Sequence, residues 1–393
     1  MIHRHIAFCI AFLGWLSVPA LAANLDETRA MAGKGDAAAQ LELGNIYKNG
    51  KRLAQDLAAA VSWWRKAADQ GNAEAQTLLG FAYYQGKGVT KDEAEAVKWF
   101  RQAAAQGYAR GQFNLGVCYS DGTGLAKDDA EAVRWFRKAA DQGHAAAQNN
   151  LANALFDGTG VAKDEAEALR WCLKAADQGL AQAQYKLGAC YREGAGVAKD
   201  EAEALRWCLK AADQGLAPAE HYLGSLYFNG VGVTKDDAAA VKWFRKAADQ
   251  GEAQAQISLG QCYFHGCGVT KDESEAIKWI RQAADQGDAL AKNYLGVCYR
   301  DGVGVTKDDA EAVKWFRKAA DQGNDLAQVN LSIQYEKGEG TAKDLIQAWL
   351  LIHLAALQGN EAADQHQATL ELDMKPAQIQ EAEALAKAWK RKL

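Results

Sequence analysis

The stretch NAEAQTLLGFAYYQGKGVTKDEAEAVKWFRQAAAQG, residues 72–107, decides the fold. Its first half puts Ala75, Leu79, Ala82 and Tyr83 at i, i+4, i+7 and i+8, one stripe of an α-helix. Gly80 sits within that stretch without a side chain, so a neighbouring helix can approach closely there. Gly86-Lys87-Gly88-Val89 ends the helix, because glycine takes the left-handed conformation without a steric penalty. The second half opens on Asp92, a good N-cap, and Glu95 three residues later completes a capping box. Ala96, Trp99, Phe100 and Ala103 make its buried stripe. Acids come first and bases later, as the helix dipole favours, and Gly107 closes the helix. No period-two alternation occurs, which excludes strands.

The same unit recurs along the chain. Trp63, Trp99, Trp135, Trp171, Trp207, Trp243, Trp279 and Trp315 are 36 residues apart, and Gly35 to Gly359 keep the same step. Gly160 to Ala181 repeats unchanged as Gly196 to Ala217, which points to internal duplication. Neither helix buries its apolar face alone, so the units must stack. Nine units fit within residues 36–359. Residues 23–35, with a short helix over Leu25 to Gly33, cap one end. Leu351 replaces the tryptophan of the last unit, as expected where one face meets water. Residues 360–393 cap the other end, with a helix from Pro376 whose Ile379, Ala382, Leu385 and Trp389 share one side. Lys390, Arg391 and Lys392 suit its C-terminus.

Three prolines against 37 glycines suit many short helices joined by glycine turns. The 45 basic and 50 acidic residues are interspersed, without the basic stripe of a nucleic-acid binder. Residues 1–22 read as a secretory signal: His3, Arg4 and His5, an uncharged run from Ile6 to Val18, then Ala20-Leu21-Ala22 before a cleavage at Ala23. The run is too short to span a bilayer comfortably, and no later stretch could cross one. The mature chain is therefore expected in the periplasm or outside the cell, with no integral membrane segment.

The pattern carried by Ala75, Leu79, Gly80, Tyr83, Gly86, Gly88, Val89, Asp92, Ala96, Trp99, Ala103, Ala104 and Gly107 resembles that of the Sel-one-like repeat family. Tetratricopeptide repeats are related in shape but have a shorter period. The resemblance implies an all-α, right-handed superhelical solenoid whose concave surface holds protein or peptide partners. It transfers no catalytic residue and no partner identity. Leu155 replaces the usual Tyr, Ala152 the usual Gly, and Arg52 the second loop glycine.

Chemistry finds little footing. Cys9 leaves with the leader. Cys118, Cys190, Cys262 and Cys298 precede the repeat Tyr, and Cys172 and Cys208 follow the Trp, where each packs as a small hydrophobe. Equivalent cysteines of adjacent units lie on the order of 9 Å apart, too far for a disulfide. Cys267 stands in a loop, and with Cys262 and His265 suggests a metal site, a local bridge or a free thiol. Structural zinc needs four ligands and a fourth is absent, so no metal or cofactor is assigned. His144, His221, His265, His353 and His366 are scattered, and no serine has lysine three residues on, which argues against a penicillin-interacting enzyme. The Gly-x-Gly-Val loop follows a helix, not the strand that a dinucleotide turn requires.

Opposite the core stripe of the first helices stand Phe81, Tyr84, Phe113, Phe156, Tyr185, Phe228 and Phe264, interspersed with Arg192, His221 and Arg300. Aromatics and arginine are the usual anchors of protein interfaces. Curvature that buries these rings against neighbouring helices is the competing explanation. Three functional classes remain: a protein- or peptide-binding scaffold, a structural component of envelope or exopolysaccharide assembly, and, least favoured, a peptidoglycan-active or β-lactam-binding enzyme.

Overall fold

A computed structural model of the chain describes residues 25–50 and 53–389. The leader at 1–22, Arg52 and the basic end Lys390 to Lys392 lie outside the described residues. Among those described there are 21 helices and no strand. The chain forms two compact units, 1–207 and 208–393. Each is an all-α array in which a repeat pairs two helices, such as Ala73–Gln85 with Glu93–Ala105. The N-terminal helix Leu25–Gly33 precedes the first repeat.

The helix starts are set by the expected aspartates. Asp92 accepts from the Glu95 N–H at 2.9 Å, and Asp128, Asp164 and Asp308 do the same in their repeats. The other half of the expected capping box does not form. The Asp92 N–H donates instead to the Tyr83 carbonyl at 3.0 Å, while Glu95 turns to Lys98 at 2.7 Å. Tyr83 lies in the last turn of the first helix, whose carbonyl has no helical donor. The two orphan groups satisfy each other across the loop.

The residue after each repeat tryptophan is the centre of the core. Trp64, Phe100, Phe136, Phe244, Ile280 and Phe316 are buried there. Each lies on the glycine of its repeat's first helix: a Cβ at Gly80 would sit 2.6 Å from Phe100, and one at Gly296 2.5 Å from Phe316. The tryptophan itself is buried in four repeats, at Trp99, Trp171, Trp207 and Trp279, and less covered in the others. Trp63, Trp135, Trp243 and Trp315 are half-buried, each beneath a lysine Nζ 3.8–4.2 Å from the ring centre. Ala152, the departure from glycine, occurs in a repeat whose large residue is replaced by Cys172, and both are buried.

A glutamine relay ties consecutive repeats together. Gln106 donates to Gln76 at 2.8 Å, and Gln76 donates to the Ala68 carbonyl at the end of the preceding repeat at 3.1 Å. Gln142–Gln112, Gln178–Gln148 and Gln286–Gln256 repeat the first bond at 2.7–2.9 Å. The amide serves because it accepts and donates at once. Glu220 stands in this place in one repeat, 3% exposed, accepting from Gln250 at 2.6 Å. Burial raises its pKa above the ordinary glutamate value, with Lys246 and Gln250 opposing. Ionised, it cannot donate to the Ala212 carbonyl, the counterpart of Ala68; protonated, it can.

Glu220→Gln should therefore stabilise the protein by about 1–3 kcal/mol at neutral pH. The folded state favours the protonated acid, so the wild type keeps its stability below the unfolded glutamate pKa and loses it as pH rises through the raised folded one. The gain from Glu220→Gln should vanish in acid and grow to a plateau above that window. Urea titrations of both proteins across pH measure it, and a pH-independent difference would exclude this account.

The C-terminal segment differs from its expected single helix. Two helices form, Glu361–Leu372 and Pro376–Trp389. In the second, Ala382 and Ala386 are buried and Ile379 packs beside them, whereas Leu385 is 38% exposed. The buried line follows 379, 382 and 386, and Leu385 points away from it.

Candidate partner-binding face

The ten candidate residues occupy three positions of the first helices, separated by four and three residues. Phe113, Tyr185 and His221 share the first, Phe81 the second, and Tyr84, Phe156, Arg192, Phe228, Phe264 and Arg300 the third. In a helix such a spacing makes one stripe. The structure brings them to one side of each first helix, but the side is less open than the sequence suggests.

Phe81 meets Phe100 edge-on, with ring centres 5.4 Å apart. Phe113 lies 5.9 Å from Phe136 and stacks on His144 at 4.7 Å. Burial, helped by Arg110, lowers the His144 pKa to about 4, so the ring stays neutral and its Nδ1 caps the next helix by accepting from the Ala147 N–H at 3.2 Å. Phe228 is 6.4 Å from Phe244, and Phe264 is half-buried between two core clusters. Tyr84 and Tyr185 are half-buried, and burial raises the pKa of the Tyr84 hydroxyl.

Phe156 departs furthest from the outward placement. It is 9% exposed, belongs to the core around Leu151 and Cys172, and lies 5.1 Å beneath the Lys186 ammonium. The reason is the next repeat, whose first helix sends one residue back over the stripe. Ser258 takes that position over His221, its Oγ 3.1 Å from Nε2. Tyr294 accepts from Gln261 at 2.5 Å, and Asn330 accepts from Arg300 at 3.1 Å. Arg300 also pairs with Asp301 at 2.7 Å, which raises its pKa, and burial lowers that of His221. Arg192 is exposed beside Glu193.

In the second unit the stripe borders an open space. There Ser225, Phe228 and Asn229 of helix Ala217–Asn229 face Ser258, Gln261 and His265 of helix Ala253–His265 across a cavity of about 390 Å³. Sequence reasoning singled out Phe228 but missed the polar residues around it, which carry no pattern of their own. Among the described residues no three His, Cys, Asp or Glu side chains converge as metal ligands, and no helix is long and apolar enough to cross a membrane.

Stacked helical pairs with a uniform second helix and a variable first-helix face define a repeat scaffold. Nine consecutive segments, from 37–72 to 325–360, match the Sel1 repeat, and the chain belongs to that family. It is similar to a protective antigen with an SLR fold present in uropathogenic Escherichia coli strains, at 33% identity over 94% of this chain and 95% of that one, TM-score 0.54. It is also similar to a Sel1 repeat protein from Oxalobacter formigenes, at 35% identity over 77% of this chain and 88% of that one, TM-score 0.57. No curated protein sequence matches it. Sel1 repeats generally mediate protein–protein interactions.

Proposed function

We propose that the protein is an exported scaffold that binds a protein or peptide through the first-helix face, and that it performs no catalysis. The observation that carries this reading is the half-open stripe around Phe228, His221 and Phe264, where aromatic floors and polar rims alternate beside a cavity. Aromatic anchors ringed by polar groups are what partner surfaces use. The second helices instead expose a repeating set of lysines and acids engaged with each other, such as Lys278 with Glu275 at 2.8 Å. The leader-like residues 1–22 support export to the periplasm or beyond. A part in envelope or exopolysaccharide assembly is the alternative.

Photo-cross-linking tests the face directly. A benzophenone side chain at exposed Asn229 should capture the partner, and the same group at exposed Lys242 on the second helix should not. Equal capture at both positions, or capture only at Lys242, would put the interface elsewhere.

A further inference from the structure

We propose that Cys262 and Cys267 form a dithiol site that reacts with a small-molecule disulfide and closes into an intramolecular bridge. This rests on local geometry and is independent of the partner-binding reading. The helix Ala253–His265 ends on Gly266 in the left-handed conformation, and the Cys267 N–H donates to the Cys262 carbonyl at 3.0 Å. This six-to-one bond is the Schellman ending, which brings the side chains of its first and last residues together. Standard bond lengths then hold the two Cα atoms within about 7 Å, inside the limit for bridging. Both thiols are unbridged and line the same cavity, beside Phe228, Ser258 and His265. Sister repeats place Ala82 with Lys87, Cys118 with Thr123, and Cys298 with Val303 at these positions, so cysteine fills both places in this repeat and in none of those.

The two thiols differ in role. Cys262 is buried, and desolvation followed by the proximity of Cys267 pushes its pKa up to about 12, so it does not begin the reaction. Cys267 is half-exposed at the loop. Its thiolate attacks one sulfur of a disulfide such as oxidised glutathione, expelling one thiolate and leaving a mixed disulfide. Cys262 then gives up its proton and attacks the Cys267 sulfur, expelling the second thiolate. The two protein thiols are oxidised, the incoming disulfide is reduced to two thiols, and the two protons released balance the two thiolates.

The full chain is incubated with oxidised glutathione, alkylated without reduction and digested at Lys246 and Lys271. The peptide 247–271 should be lighter by two hydrogen atoms and carry no alkyl group. Cys262→Ala, with the residue that Ala82 supplies in a sister repeat, should stop at a stable glutathione adduct on Cys267. Cys267→Thr, with the residue that Thr123 supplies, should leave Cys262 unmodified. Phenylarsine oxide, which requires two neighbouring thiols, should protect both cysteines of the wild type from alkylation and neither single variant. A wild type that halts at the mixed disulfide, bridges Cys267 to another cysteine, stays unreacted or gains no arsenical protection overturns the proposal.

Discussion

Gly116→Ala is expected to destabilise the third repeat by about 1–3 kcal/mol, the usual cost of overpacking a filled core. The added Cβ would lie 2.8 Å from two ring carbons of Phe136 and 3.2 Å from the Ala132 carbonyl. Phe136 is 5% exposed and held against Phe113, so it has little room to withdraw. The chain already contains the compensated form of this contact. In the fourth repeat Ala152 replaces the glycine and Cys172 the phenylalanine, and both are fully packed at 1% and 0% exposure.

Phe136→Cys alone should leave a void and cost about 2–4 kcal/mol, less than full truncation to alanine. Combined with Gly116→Ala, the new methyl fills part of that void. The double variant should be more stable than the sum of the singles predicts by about 1–2 kcal/mol. Urea denaturation of the four proteins gives the coupling directly. Strict additivity would show that the glycine and the aromatic do not constrain each other.

The second large effect concerns the joint between repeats. Gly340→Ala should cost about 2–5 kcal/mol, summing the left-handed penalty and a backbone collision. Gly340 has φ +70°, and a Cβ there would lie 2.0 Å from the Asp309 carbonyl oxygen and 2.3 Å from its carbon. Those atoms belong to the first turn of the helix Asp309–Ala320 in the preceding repeat, so relief requires the repeats to separate. Gly323→Ala is the control. It has φ +84° with nothing within 4 Å of a Cβ, so only the left-handed penalty of about 1–2 kcal/mol applies. Hydrogen exchange should show protection lost in both Asp309–Ala320 and Leu345–Ala356 for Gly340→Ala. Equal losses for the two variants would mean that the close approach contributes nothing.

What was legible in the sequence was local. The helix stripes of residues 72–107, their aspartate caps and their closing glycines follow from spacing and backbone preference, which act within a few residues. Stacking followed because neither helix can bury its face alone. The tertiary structure decided what depends on how one helix meets another, within a repeat and between repeats. It gave the Asp92 N–H to the Tyr83 carbonyl rather than to Glu95, and set Phe100 of the expected buried stripe directly against Gly80. It linked Gln106 to Gln76 over 30 residues, a recurrence visible in the sequence but without meaning until the helix ends converged. It also settled how far each outward ring is covered. Phe156 lies under Lys186 of the following repeat while Phe228 borders a cavity, although both hold the same helical position. Spacing within one helix assigns a residue to a face, and only the neighbouring helix determines whether that face is open.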